Sequence, residues 1–308
     1  MQSAAAAIPF RAVYLKLIVL GAIWGSSFLA QKIALQAWSY EQIVDGRMVT
    51  AAATLGLLTL LRHDPWPAGA RFWGLASVSG ILIGVSNLLV PFALVDTSSG
   101  LSAVIITTIP LFAAAFVLML VRHEAPTASQ AAGLTVGFVG AVVAIEPWRQ
   151  GMAARTLISV AALVLAAALL GLNSAYSRRF LSDRPDSSLV VIACSMVGGA
   201  AVLLVFTAPV VTHQSWSFSP QAILAVCYLG VFPTGIAYVL LFGLIRDVGV
   251  TRASTANYLI PIVAIILGWI ALREPMRGTL LVGGSFVVTG VALTDGRLRF
   301  RKLFRAHA

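Results

Sequence analysis

The sequence predicts an all-α membrane protein, with ten transmembrane helices in two inverted five-helix repeats and both termini in the cytoplasm. Three observations predict it. The 308 residues are 59% hydrophobic and only 10% charged, with a mean hydropathy of +0.93, a composition no water-facing surface sustains. Apolar runs poor in charge and about 20 residues long, enough to cross ~30 Å of hydrocarbon, recur along the whole chain. A pattern of Gly, Pro and Glu positions then repeats after about 150 residues.

The runs fall near 14–35, 40–61, 71–95, 100–121, 126–146, 156–176, 187–207, 220–244, 250–272 and 277–295. The first is too long for a signal-peptide core and lacks a small-residue cleavage site before a soluble domain, so residues 1–30 are expected to remain as a span. The second carries Arg47 about seven residues inside, roughly 10 Å along a helix rising 1.5 Å per residue. The third holds Gly84, Asn87 and Pro91 at helical spacing, the fourth Pro110, and the fifth Gly133 and Gly140. Glu146–Arg155, with Pro147, Gly151 and three charges, separates a first repeat (1–150) from a second (151–308). The sixth run contains Asn173 and Tyr176, and the seventh has the weakest pattern. The eighth contains Tyr228, Pro233, Thr234 and Tyr238, the ninth Asn257, Tyr258 and Pro261, and the tenth Gly283 and Gly290.

The repeat runs from Gly80 through Phe92 and Ser102 to Pro110, Glu124, Pro126, Gly133 and Gly140. It resumes from Gly230 through Phe242 and Ala253 to Pro261, Glu274, Pro275, Gly283 and Gly290. Five spans per copy turn the second copy upside down in the bilayer, an arrangement associated with secondary transporters. Charge sets the orientation. Of the 21 Lys and Arg residues, fifteen lie on the side of the termini: Arg11, Lys16, Arg62, Arg71, Arg122, Arg178, Arg179, Arg184, Arg246, Arg252 and the five of the tail, Arg297, Arg299, Arg301, Lys302 and Arg305. Five (Lys32, Arg149, Arg155, Arg273, Arg277) lie opposite, so the positive-inside rule places both ends in the cytoplasm. The basic tail follows a span directly, which suits anionic lipid headgroups rather than nucleic acid.

Other function classes lack their residues. All four histidines fall in loops or the tail, no span carries two acids at mid-depth, and neither Gly-x-Ser-x-Gly nor His-Glu-x-x-His occurs, so no enzyme is expected. Cys194 and Cys227 lie inside runs and read as packing residues; no disulfide, metal site or cofactor is expected. A pore would need a selectivity filter or a ring of charges, which the chain does not display.

Several segments carry a family likeness. The first run reads Ala22-Ile-Trp-Gly-Ser-Ser-Phe28, and the second has Arg47 near its start. The third and fourth read Ala93-Leu-Val-Asp-Thr-Ser-Ser-Gly-Leu-Ser-Ala103 and then Pro110; the eighth places Thr234, Ala237 and Tyr238, and the ninth reads Arg252-Ala-Ser-Thr-Ala-Asn-Tyr-Leu-Ile-Pro261. In these the chain resembles the drug/metabolite transporter superfamily, specifically its ten-helix EamA-type members. The resemblance implies two inverted five-helix repeats moving small metabolites, often outward, across the bacterial inner membrane. Small relatives in the superfamily couple to protons through a glutamate in the first helix; the first run here has no carboxylate.

Polar groups at mid-depth are costly unless paired or facing water, so each is a candidate. Trp24, Phe28 and Gln31 share one face at i, i+4, i+7 spacing. With Asn87, Asn173, Tyr176, Tyr238, Asn257 and Tyr258 they form the expected solute-binding set, aromatic walls with a few amides that suit an amino acid or a derivative. Arg47 is expected to gate or to hold a solute carboxylate. Pro91, Pro110, Pro233 and Pro261 are expected to bend their helices by removing a backbone donor. Glu41, Asp45, Asp96 and Glu146 read as solvated acids near span ends. The expected function is export of a small metabolite by alternating access, the two halves rocking about a midplane cavity. A multidrug or cationic-compound carrier and a membrane channel stand as alternatives. The expected partners are the solute and the bilayer, with a single chain as the working unit.

Overall fold

The computed structural model describes residues 10–120, 128–146, 154–181, 184, 186–248 and 254–294. Among them every regular element is helical. The order is α1 (Phe10–Ala34), α2 (Tyr40–Leu61), α3 (Ala70–Leu94), α4 (Ser99–Ile106), α5 (Ile109–Leu120), α6 (Ala128–Ile145), α7 (Ala154–Phe180), α8 (Ser188–Val211) and α9 (Pro220–Leu229). A π-helical turn (Gly230–Ile236) leads into α10 (Ala237–Val248); a 3-10 turn (Ser254–Tyr258) leads into α11 (Leu259–Leu272), and α12 is Gly278–Thr294. Glu124, Pro126, Ala253, residues 147–153 of the link and the basic tail lie outside the described residues.

Seven segments are long and apolar enough to cross a membrane, and three shorter apolar helices (Ala131–Ile145, Ala256–Leu272, Gly278–Leu293) accompany them. Helix begins where serine supplies a cap. Ser39 accepts from the Gln42 amide while Gln42 returns a bond to the Ser39 backbone, and Ser98, Ser187 and Ser219 cap α4, α8 and α9. Large apolar side chains such as Leu61, Phe138, Val205, Phe206, Leu224 and Ile270 project outward. That much exposed hydrocarbon is a surface made for lipid.

The fourth, eighth and ninth runs are interrupted where continuous spans were expected. Thr107 and Thr108 return their hydroxyls to the Ala103 and Ile105 carbonyls, and α4 stops there. Pro110 is the second residue of α5 and Pro261 the third of α11. These two prolines therefore start helices rather than bend them, because first-turn residues have no intrahelical acceptor to lose. Pro91 and Pro233 do lie inside helical segments, as does Pro209 in α8.

Packing joins the two sequence halves more than it separates them. The fifth run pairs with the tenth (α6 with α12), the second with the seventh (α2 with α8) and the fourth with the ninth (α4 with α11). The remaining major contacts come as exchanged pairs. Third-on-seventh matches eighth-on-second, third-on-sixth matches eighth-on-first, and ninth-on-first matches fourth-on-sixth. Swapping each run for the one five places along thus returns the same contact pattern.

Equivalent runs that touch also run antiparallel. The Ser129 hydroxyl at the start of α6 donates to the Leu293 carbonyl at the end of α12, while Glu146 and Arg277 meet at 3.6 Å at the other end. Asp45, early in α2, accepts from Thr207 late in α8, and Ser187, just before α8, donates to Asp64 just past α2. The seams depend on glycine. A Cβ on Gly80 would overlap the Ser195 carbonyl and Gly199 backbone of α8, and one on Gly230 would overlap Thr50 and the Arg47 carbonyl of α2. Gly140 and Gly283 likewise bring the α6 and α12 backbones together.

Candidate functional site

The site is built on the π-turn between α9 and α10. Proline at 233 has no N–H for the Leu229 carbonyl, so that acceptor needs another donor. Thr234 supplies it twice, through the i−5 backbone N–H that defines the π-turn and through its hydroxyl, which donates to Leu229 O at 2.9 Å. The same hydroxyl accepts from Arg47 Nε at 2.8 Å, and the Pro233 carbonyl accepts from Trp24 Nε1 at 3.1 Å. One local register change therefore gathers α1, α2 and the eighth run at a single point; such turns are frequent at functional sites. Trp24 meets Tyr238 edge-on with ring centroids 6.4 Å apart.

Arg47 is 8% exposed. Among the described residues it forms no ion pair, and its two Nη amines carry no hydrogen bond. The one fully sealed side-chain atom without a partner among those residues is Gln31 Oε1. The Arg47 amines are thus not sealed; they retain contact with open space. The same holds for the Tyr238 hydroxyl, close enough to Arg47 to interact with its charge, and for Asn87 Oδ1, whose Nδ2 leans toward Met48 Sδ at 3.9 Å. Tyr238 packs on the cluster of Val44, Met48 and Leu203, and Met48 also touches the Gly84 face of α3. Arg47, Asn87, Tyr238 and Trp24 therefore surround the same region between α1, α2, α3 and α10.

The other expected site residues divide. Phe28 continues the Trp24 face into the core of Val90, Leu94 and Ile105, and Gln31, 2% exposed, turns its Nε2 back to the Ser27 carbonyl. Asn173 accepts from the Ser79 hydroxyl at 2.7 Å, and Tyr176 donates to the Leu75 carbonyl at 3.1 Å, so both stitch α7 to the early half of α3. Ser79 precedes Asn87 by eight residues, ~12 Å of helix, which sets this seam apart from the Arg47 region. Tyr258 packs with Val104, Leu111 and Leu280, and Asn257 follows Ala256, which packs against Leu17 and Leu20 of α1.

The acids expected to be solvated are engaged instead. Asp45 is buried with both oxygens on the Thr207 hydroxyl, and Glu41 accepts from Gln214 at 3.4 Å. Asp96 holds Arg155 and Ser159 at 3.0 and 3.1 Å, and Glu146 holds Arg277. Glu274, noticed in the sequence only as a repeat marker, accepts from the Ser99 amide at 3.0 and 2.9 Å and from the Ser99 hydroxyl at 3.1 Å, with Lys32 at 3.9 Å. It caps the broken fourth run from the loop after the ninth. All these ties except Asp45–Thr207 involve the loops between odd and even runs, or helix ends next to them. Partners between 59 positions apart (Asp96 with Arg155) and 242 (Lys32 with Glu274) left no local signal of these ties.

Two hollows lie elsewhere. One of about 500 Å³ opens beside Trp269, Arg273 and Glu274, and a groove of about 480 Å³ runs between α2, α3 and α8, with Tyr40, Glu41, Leu88 and Phe206 on its walls. Among the described residues no group of three or more His, Cys, Asp or Glu side chains could hold a metal ion.

Comparison with known proteins places this geometry. The family model described as the EamA-like transporter family matches twice, at residues 11–145 and 157–294. The "Probable terminal-alkyne amino-acid exporter" of Streptantibioticus cattleyicolor is 23% identical over 93% of this chain and 94% of its own. The "S-adenosylmethionine/S-adenosylhomocysteine transporter" of Chlamydia trachomatis is 29% identical over 90% of this chain and 87% of its own. A solved crystal structure superposes with a TM-score of 0.68 at 21% identity, covering 93% of this chain and 99% of that one; this likeness concerns the fold alone.

Proposed function

Because the chain belongs to the EamA-like transporter family, a multi-pass integral membrane protein rather than an enzyme, we propose that it exports a small metabolite, an amino acid or a derivative of one, by alternating access. The observation that carries this reading is the exchange of contacts between antiparallel equivalent runs around a cluster of unpaired polar groups. A fold that maps onto itself upside down has two nearly equal ways to close, one on each face, which alternating access requires. The double family match supports two repeats, and the ten apolar runs with their charge asymmetry support ten spans with both ends in the cytoplasm of a bacterial inner membrane.

The packing redraws the bodies that rock. Residues 1–150 and 151–308 interleave, so neither half moves as a unit. The natural bodies are the third, fourth, sixth and seventh runs against their equivalents, the eighth, ninth, first and second, since contacts within each set dominate. The Arg47 region lies where α3 of the first body meets α1, α2 and α10 of the second. Trp24, Tyr238 and Asn87 there offer aromatic walls and an amide to a small zwitterionic solute. The names of the two relatives, one an amino-acid exporter and one a carrier of an amino-acid derivative, support the same class.

Counterflow with purified protein in liposomes tests this. Vesicles loaded in turn with amino acids, nucleosides and cationic drugs should show saturable uptake accelerated from the far side by an amino acid or derivative. Acceleration by cationic drugs alone would select the multidrug reading. Flux that neither saturates nor responds to internal solute would mark a channel.

A further inference from the structure

We infer that Arg47, with Tyr238 and Asn87 beside it, is the docking point for a carboxylate on the solute, and that a hydrogen-bond donor adjacent to that carboxylate, as in an α-amino acid, is read by Asn87. The inference rests on the carrier reading for its transport consequence and on the geometry alone for its binding consequence.

A guanidinium stays charged inside a protein, so burying it without an acid leaves a charge awaiting a counter-ion. Arg47 is in that position. Among the described residues its single hydrogen-bond partner is the neutral Thr234 hydroxyl. The neighbouring acids meet other partners: Asp45 accepts from the Thr207 hydroxyl, and Glu41 accepts from Gln214. The Arg47–Thr234 bond uses Nε alone and fixes the plane of the fork, leaving both Nη amines without a partner among the described residues. The Nη edge is the one that grips a carboxylate through parallel bonds. The Tyr238 hydroxyl, also without a partner among the described residues, can donate to the same carboxylate. Asn87 is 9% exposed, and its Oδ1 has no donor among the described residues. A ligand with a carboxylate and a neighbouring ammonium satisfies all three groups. A purely cationic ligand would meet an unpaired positive charge there and be repelled.

The test uses the full chain in detergent and in liposomes. The probes are the standard α-amino acids, their α-amides and the amines that lack the carboxyl group. Thermal unfolding and Trp fluorescence report binding, and counterflow reports transport. At least one amino acid should raise the unfolding midpoint, while its amide and amine do not at the same concentration. Arg47→Gln should weaken that binding by about tenfold or more, and Arg47→Lys, which keeps the charge but loses the fork, by less. Equal binding of acid, amide and amine, undiminished binding to Arg47→Gln, or no binding by any amino acid would each overturn the inference. Should Arg47→Gln not fold, Arg47→Lys and the acid-to-amide comparison still decide it. Carboxylate-dependent binding without counterflow would remove the carrier reading and keep this one; counterflow indifferent to the carboxylate would do the reverse.

Discussion

Thr234 shows how one hydroxyl can serve both fold and site. It donates to the Leu229 carbonyl beside the π-turn's own backbone bond and accepts from Arg47, so the buried Arg47 Nε loses its partner if it goes. Thr234→Val keeps the shape and removes both bonds, and should cost about 1–3 kcal/mol, the penalty for buried polar groups left unmade. Thermal unfolding in detergent should register that loss, and Thr234→Ser should restore most of it. Glu274 behaves differently, because its carboxylate takes three bonds from Ser99 at a helix start. Glu274→Gln keeps the size and weakens charge-assisted bonds worth about 1.5–3 kcal/mol, so its unfolding midpoint should also fall. Lys32, at 3.9 Å, lies beyond hydrogen-bond reach of the carboxylate and adds little, and Lys32→Gln should leave that midpoint nearly unchanged. The sequence singled out Trp24, Arg47, Asn87 and Tyr238 as candidates because polar and aromatic groups at mid-depth are conspicuous against hydrocarbon. It could not separate them from Asn173 and Tyr176, which have the same chemistry but bond across to Ser79 and Leu75, and no residue type announces its partner.

Helices meet here where side chains are missing, and the glycine pairs make that measurable. Gly80 against α8 and Gly230 against α2 occupy equivalent places, and in each a Cβ would strike backbone that cannot swing aside. Gly80→Val and Gly230→Val should therefore both cost more than about 3 kcal/mol, beyond the usual range for overpacking, and appear as loss of monodisperse protein in size-exclusion chromatography. Gly74, with open space around its Cα, should accept Ala with no loss. These glycines were visible in the sequence as repeat markers, and the seven spans and three shorter apolar helices were visible as apolar runs because hydropathy reads the solvent directly. The interruptions were not. An α-helix, a π-turn and a 3-10 turn bury the same apolar residues, so hydropathy is blind to Thr107–Thr108, to Gly230–Ile236 and to Ser254–Tyr258. A proline preceding a buried threonine, as at Pro233-Thr234, was the one local hint, since it pairs a lost donor with a replacement.

For the whole molecule, the question is which parts move together, and the interleaved packing gives an answer that differs from the sequence division. If the bodies were residues 1–150 and 151–308, linking α2 to α8 and linking the end of α3 to α7 would both join one half to the other and both would arrest transport. With the bodies drawn by packing, the first link crosses the moving boundary and the second lies within one body. The structure offers a contact for each: Asp45 with Thr207, and Asp96 with Ser159. In a background with Cys194 and Cys227 replaced, the pair Asp45→Cys with Thr207→Cys, closed by a short bis-methanethiosulfonate that joins both thiols through disulfides, should abolish counterflow, and reduction should restore what the substitutions themselves leave. The pair Asp96→Cys with Ser159→Cys should keep its flux whether bridged or reduced. Arrest by both bridges would return the motion to the sequence halves. Arrest by neither would mean that solute passes without the two bodies separating at this face, and the carrier cycle would have to open elsewhere.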